Sequence, residues 1–549
     1  MSENVRNLSA RHGLDNRLFD RLAEARSEEK GLDQEVMHQV ADEYLIGNAN
    51  VYGAATFYDF LNPEQSNKKV FVCAGSACML AGTQPALHHT LEQHFDPSTI
   101  GEVYCLGRCY ENHAFHYHGL NYSGQAAAQI TELKAGSITT IADQYTVGSL
   151  GKGLLTALHP SLEQTLKTLI QLLESDPEQL LEEISISGLR GRGGAGFPLA
   201  IKLAGVKKEN ADEKYIVCNA DEGDPGAFSD RYLLEQKAHL VLFGMAICGY
   251  ISGAQDGVLY IRAEYPEAIS ILQKAIEPFN RIFSYQKRNG DIVNFKLHVV
   301  KAQGAYICGE ETALLSSLEG LRPEVRTRPP FPSQYGLFGK PTAVNNVETL
   351  ANVYAILSDG GTTFKAIGTA KSAGTKLLSL DSHFNNPGLY EVDMGTPLSV
   401  VINELGGGLK EPIKAFHIGG PLGGLVPLHK IAELTIDFES FASQGFLLGH
   451  ASILSIPTRF PLLEYLEHLF AFTAHESCGK CFPCRIGSVR GKELLQKARA
   501  GNYQIDRELW DDLIDTLEKG SLCALGGGLP LPVKNAMQYF PAELGAYFK

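Results

Sequence analysis

Hydrophobic and polar positions follow more than one period along this chain, and the changes of period mark out its organisation. In the first fifty residues the apolar positions fall three and four apart (Leu18, Phe19, Leu22, Ala23, then Val36, Val40, Tyr44, Leu45), which predicts helices. After "NANVYGAATFYDFL", the run "KKVFVCAG" predicts a strand. A helical stretch over 85–95 follows, then a second strand, "IGEVYCLG", and an edge hairpin, "HAFHYHGLNYSG". This order of elements is thioredoxin-like in outline.

A polar stretch over 136–153 separates that unit from the next. From 187 to about 359, the strand patterns "YIVCNA", "GVLYIRA" and "KLHVVKA" alternate with helical runs over 233–250 and 266–276. Such alternation predicts a parallel α/β sheet. A Pro-rich stretch, "LRPEVRTRPPFPSQYGLFGKP", interrupts it as an extended loop. Residues 371–455 read as short strands with Gly-rich turns, and the chain from "FPLLEYLEHLFAF" onward reads as helical. The expected division is therefore 1–140, a helical lead-in and thioredoxin-like unit; 141–186, a helical linker; 187–370, α/β; 371–455, β-rich; and 456–549, helical. A chain of 549 residues calls for several cores.

Composition narrows the partners. Apolar residues at 44% and charged residues at 20% are ordinary for a globular protein, and the net charge of −14 argues against nucleic acid or an anionic membrane surface as the main partner. The start, "MSENVRNLSARHG", has no apolar core of a secretory signal. The longest apolar run, 240–254, is too short to span a bilayer and predicts a buried helix, so a cytoplasmic protein is expected.

Cysteines change the picture most. Eight of the eleven form two sets of four, while Cys218, Cys248 and Cys308 sit alone in apolar surroundings and read as core residues. "ESCGKCFPC" spaces Cys478, Cys481 and Cys484 by three, and Cys523 follows far downstream. Three close thiolates and a distant fourth suit a [4Fe–4S] cluster, with structural zinc as the alternative. The other set, Cys73 and Cys78 with Cys105 and Cys109, offers two thiolates from each of two loops. That suits [2Fe–2S], and zinc is again the alternative. His113, His116 and His118 do not share one face of a hairpin and read as surface residues.

The loop "SGLRGRGGAGFP" matches G-x-G-x-x-G at Gly191, Gly193 and Gly196. A dinucleotide-binding turn requires a preceding apolar strand, and only "EEISISGLR" precedes it; Pro198 falls where the helix should begin. A phosphate cradle with Arg190, Arg192 and Lys202 remains, beside the alternative of a solvated loop. Two acidic turns, "CNADEGDPGAFSD" and "YICGEETALLSSLEG", and the Asn345–Asn346 pair accompany it.

In that order, "GLRGRGGAGFP", "NADEGDPGAFSDR", "GAYICGEETALLSSLEG", "PPFPSQYGLFGKPTAVNNVETL" and "ESCGKCFPCRIG…SLCALGG" resemble the NADH-binding flavoprotein subunit of respiratory complex I and its soluble relatives. "VYGAATFYDF…VCAGSACMLAG…CLGRC" resembles the thioredoxin-like [2Fe–2S] subunit of the same enzymes, here fused in front. Together the motifs span about 50–540. Within the group, "CFPCRIGSVRGKELL" and "GSLCALGGGLPLPVKNAMQYFPAEL" are most similar to the NAD-reducing subunit of molybdenum- or tungsten-dependent formate dehydrogenases.

The resemblance implies a Rossmann-like FMN/NADH domain, a ubiquitin-like β-grasp domain over 371–455 and a helical [4Fe–4S] bundle. It implies that Gly191, Arg192, Gly193, Gly194 and Lys202 hold FMN, with Asn219, Asp221 and Glu222 on one side and Gly309, Glu310, Asn345, Asn346 and Thr349 on the other. Phe197 and Phe331 would stack on the adenine end of NAD(H), with Lys202, Asp224 and Glu311 as polar contacts. The eight paired cysteines would hold the clusters. The implied reaction is hydride exchange between NAD(H) and FMN, with single electrons passed to the clusters. No side-chain nucleophile is called for.

The implied partner is a Mo/W formate-oxidising subunit with further iron–sulfur clusters; hydrogenase subunits or a complex I module are the alternatives, and a zinc scaffold or redox sensor is the different-class one. The chain departs from the family at Leu199, Ala200 and Leu203 beside the glycine loop, and at "YENHAF" after Cys109.

Overall fold

The computed structural model describes residues 13–15, 17–27, 31–137, 144–157, 160–282, 285–501 and 503–549. The first twelve residues, on which the reading of the leader rests, lie outside these. Helices Leu18–Ser27, Gln34–Glu43 and Asn48–Ala55 lead in. The Asp33 carboxylate caps the second by accepting from the Val36 N–H at 2.8 Å.

A four-stranded sheet follows in the order Ile100–Val103, Val70–Cys73, Phe115–Tyr117, Leu120–Tyr122. Its first pair is parallel and the others antiparallel. Because Val70–Cys73 and Ile100–Val103 run the same way, both cysteine-bearing loops leave one end of the sheet. His116 is not a solvated residue: it packs on Phe60 and Phe71, and its Nδ1 lies 2.8 Å from Asn121 Oδ1.

The central sheet is fully parallel, in the order Lys296–Lys301, Asp256–Ile261, Tyr215–Ala220, Thr342–Asn346. The apolar run forms helix Ala238–Ser252, apolar on every side and buried except at His239 and Tyr250. It meets helix Val347–Asp359 so closely that a Cβ on Gly244 would lie 2.0 Å from the Leu350 carbonyl oxygen. Cys218, Cys248 and Cys308 are buried core residues.

The third sheet has six strands: Gly424–Pro427, Ile413–Ile418, Ser452–Pro457, Thr375–Leu380, Gly388–Asp393 and Thr146–Leu150. The last of these corrects the expected helical linker. Before helices Leu162–Leu173 and Pro177–Ser187, the connecting segment adds an edge strand parallel to Gly388–Asp393. Its five residues, TVGSL, are largely exposed and do not alternate apolar with polar, so periodicity cannot reveal the strand. Helices Leu462–Glu476, Ser488–Arg499, Arg507–Gly520 and Pro530–Tyr539 complete the C-terminal region. Among the described residues no helix is long and apolar enough to cross a membrane.

Candidate functional site

In chain order the parallel sheet runs 3-2-1-4, so the strand order reverses between the neighbours Tyr215–Ala220 and Thr342–Asn346. The carboxyl ends of such a strand pair open a crevice where α/β sheets bind ligands. Asn219, Asp221 and Glu222 leave one strand there, and Asn345 and Asn346 end the other.

The glycine loop enters from a helix, not a strand, as its sequence implies. Helix Pro177–Ser187 ends at Gly188, whose φ of 65° is the left-handed conformation of a C-terminal cap. The loop then closes on itself: the Gly191 N–H donates to the Phe197 carbonyl at 2.9 Å and the Leu199 N–H to Leu189 at 3.1 Å. Its tip docks on the start of helix Val347–Asp359. There the Arg192 N–H donates to Thr349 Oγ1 at 2.9 Å, and a Cβ on Gly193 would lie 3.0 Å from Asn346 Cβ. The Arg192 side chain turns away, fully buried, and donates to the Ala373 carbonyl at 2.5 Å. Burial brings its pKa down to about 10. Lys202, in the first turn of helix Leu199–Lys208, reaches the Val344 carbonyl at 2.6 Å, and burial lowers its pKa.

The two acidic turns are tied together, since Asn219 Nδ2 donates to the Gly309 carbonyl at 2.8 Å. Glu222 faces inward. Its carboxylate accepts from Ser229 Oγ (3.1 Å), the Asp230 and Arg231 N–H groups (both 3.0 Å) and the Tyr265 hydroxyl (3.0 Å), so it anchors the start of helix Ser229–Gln236. Glu310 likewise caps helix Glu311–Leu318. Arg328 binds Glu310 at 2.5 Å and Glu311 at 2.8 Å, pinning the Pro-rich loop over the crevice. The rings of Phe197, Phe331 and Tyr335 are each about half exposed. Asp224 accepts from the Tyr306 hydroxyl at 2.6 Å.

Both cysteine sets converge. Cys105 and Cys109 sulfurs are 3.7 Å apart, and the Cys78 thiol bonds the Cys73 sulfur, bringing Cys73 down to about 7. The second set gathers Cys478, Cys481, Cys484 and Cys523 beside Glu310 and Tyr306. Burial pushes the Cys484 and Cys523 thiols up to about 11 and about 12. The loop of Cys105 and Cys109 touches the acidic turn: Cys105 Sγ lies 3.8 Å from the Asp224 carbonyl, and Arg262 donates to both the Glu222 and Cys105 carbonyls.

Three families match this arrangement: the Nuo51 FMN-binding domain over 184–355, the NADH-ubiquinone oxidoreductase-F iron–sulfur binding region over 464–547, and the thioredoxin-like [2Fe–2S] ferredoxin over 7–136. The corresponding NADH-quinone oxidoreductase subunit of Escherichia coli is 38% identical, across 68% of this chain and 85% of its own length. The chain belongs to the NADH-quinone oxidoreductase-F family.

The HndC subunit of an NADP-reducing hydrogenase from Solidesulfovibrio fructosivorans is 42% identical over 69% of this chain and 78% of its own. The alpha subunit of the NAD-reducing hydrogenase HoxS from Cupriavidus necator is 32% identical over 96% and 91%. A solved NAD+-reducing [NiFe]-hydrogenase superposes with a TM-score of 0.84 at 27% identity, covering all of this chain and 95% of that one. As a member of the oxidoreductase-F family with a fused [2Fe–2S] domain, the protein is an NADH-binding flavoprotein with FMN, [4Fe–4S] and [2Fe–2S].

The residues fit these groups. Asp221 Oδ2 and Asn345 Nδ2 are buried at the switch point without a hydrogen-bond partner, and burial holds the Asp221 carboxyl well above its usual range. One acceptor and one donor left unmet there suit the polar edge of a flavin. The second loop of the [2Fe–2S] site also has its sulfur donor in place, from the Gly226 N–H to Cys109 Sγ at 3.2 Å.

Tyr306 and Tyr335 lie inside the motifs that carry the resemblance but take no role from the sequence, and His450 and Arg262 belong to none of those motifs. His450, whose Nε2 lies 3.5 Å from Glu222 Oε1 and from Asp230 Oδ2, is a single histidine in a Gly-rich turn, more than two hundred residues along the chain from both acids, and no spacing rule marks it.

Proposed function

We propose that this chain is the subunit at which electrons pass between NAD(H) and a partner protein. The pair of unmet buried atoms at the switch point, Asp221 Oδ2 and Asn345 Nδ2, carries this reading. Bound FMN supplies the change from two-electron to one-electron chemistry. The protein's part is to bind, orient and exclude water. The closed loop through Gly191, Gly193 and Gly194 and the start of helix Val347–Asp359 receive the flavin phosphate and ribityl chain, with Thr349 and Asn346 fixing the loop. The exposed rings of Phe197 and Phe331 take the adenine, while Lys202, Glu311 and Asp224 border the nucleotide path.

An exit for electrons is supported by an apolar patch beside the [4Fe–4S] ligands. Phe482, Ile486 and Val489 recur at helical spacing and are exposed, as is Leu522, next to the half-buried Cys481 and Cys523. A partner docked there would come within reach of the cluster.

For that partner, the sequences around Cys484 and Cys523 support a Mo/W formate-oxidising subunit with further iron–sulfur clusters. A second reading, the diaphorase of a nickel–iron hydrogenase, is supported by the match to HoxS alpha, which runs through the fused N-terminal region as well. Purification of the intact complex followed by metal analysis tests the choice. Molybdenum or tungsten supports the first reading, and nickel overturns it. A purified chain without flavin absorbance or iron would overturn both.

A further inference from the structure

The turn Leu448–Ala451 of the β-grasp domain reaches the flavin crevice. Gly449 backs directly on Gly194, whose Cβ would lie 3.7 Å from it, and the neighbouring Gly420 backs on the Asp224 carboxylate. The next residue, His450, passes between the two domains. Its Nε2 lies 3.5 Å from Glu222 Oε1 and 3.5 Å from Asp230 Oδ2, with both acids and the ring buried. Asp230 in turn accepts from Asn346 Nδ2 at 2.7 Å, and Asn346 is the residue the glycine loop rests on.

Two buried carboxylates side by side repel, and an imidazolium between them offsets one charge. The groups facing His450 are Glu222 and Asp224 on the acidic turn, Asp230 on helix Ser229–Gln236, and Lys376 on the strand Thr375–Leu380. Lys376 is itself paired with Glu348, so it is not free to neutralise the two acids. Asp230 and Glu222 outweigh the burial cost and hold His450 up to about 9, while burial and Glu222 push Asp230 up to about 6.

We propose that His450 is a positioning residue for the flavin: as a buried cation wedged between Glu222 and Asp230, it sets the field that bound FMN meets and, through Asp230, the place of Asn346. This rests on the reading of the switch point as the FMN site. A cation there favours the flavin carrying added electrons, so its loss moves the flavin potential to more negative values.

The test is a spectroscopic redox titration of the FMN-loaded protein against pH. The wild-type potential should fall more steeply once pH exceeds about 9, as His450 gives up its proton. His450→Gln should have a more negative potential and lack that bend, and His450→Gln/Asp230→Asn, with one cation and one anion removed, should return toward wild type. A role in packing alone would not give that charge-specific return. His450→Gln with full FMN and an unchanged potential overturns the proposal. If that variant does not fold, a wild-type potential without the bend does the same, as does histidine NMR showing a neutral ring at pH 7. Failure of the flavin-site reading is distinguishable, because Gly193→Val would then keep full FMN.

Discussion

The backbone N–H of Gly226 points at the sulfur of Cys109 from 3.2 Å. Gly226 belongs to the acidic turn of the flavin domain and Cys109 to the fused [2Fe–2S] domain, so the two cofactor sites share a hydrogen bond. Gly226 has φ 107°, and a Cβ there would lie 2.9 Å from the Leu454 side chain. Gly226→Ala is therefore expected to cost about 1–3 kcal/mol of stability. By displacing the donor it should leave more charge on the sulfur and move the [2Fe–2S] potential to more negative values. EPR-monitored titration reads this, and an unmoved potential would show that the contact has no electronic role.

The glycine loop is tested at Gly193. Valine there would press on Asn346, and overpacking of about 1–3 kcal/mol corresponds to roughly 5- to 150-fold weaker FMN binding. The flavin content of the purified variant measures it.

Phe331→Ala should raise KM for NADH with kcat nearly unchanged, because the exposed ring is assigned to the adenine end of the nucleotide and not to the reacting atoms. Stacking on a base contributes about 1–3 kcal/mol, and the KM should rise accordingly. A variant with falling kcat and constant KM would place Phe331 elsewhere in the reaction.

Lys376 and Glu348 form an ion pair with both side chains fully buried. Removing one partner leaves an uncompensated charge at about 3–5 kcal/mol, whereas replacing both with apolar residues costs less. Urea midpoints of Lys376→Met, Glu348→Leu and the double variant give the comparison, and additive losses would contradict it.

The pH dependence of stability follows from His450. Its folded pKa of about 9 lies above the ordinary 6.5, so its contribution is complete below about 6.5 and is lost as pH rises through about 9. The difference corresponds to at most about 3 kcal/mol at about 1.4 kcal/mol per unit. The wild type should lose melting temperature across that interval more steeply than His450→Gln does.

What can be read from the sequence depends on whether a signal is local. The three-residue spacing of Cys478, Cys481 and Cys484 is self-contained, and the all-round apolar pattern over 240–254 suits only a buried helix. The glycine loop's lack of a preceding strand is equally visible, and helix Pro177–Ser187 stands in that place. The family resemblance implies that Glu222 lines the flavin, and the structure adds that its carboxylate anchors Ser229, Asp230 and Arg231. An acid two residues past a strand looks the same whether it faces a ligand or a helix end. His450 and Arg262 act across domains, and local periodicity holds no information about which distant acid or carbonyl they will meet.

The strand Thr146–Leu150 bears on the fusion itself. By registering with Gly388–Asp393 it fastens the chain to the β-grasp sheet a few residues after the [2Fe–2S] domain ends. The tether between the two modules is thereby short, and their encounter is intramolecular, with a local concentration that dilution cannot lower. A protease cut just before Thr146 would turn that permanent neighbour into a separable piece, held only by contacts such as Gly226–Cys109 and Arg262–Cys105, and occupancy of the shared interface would then depend on protein concentration.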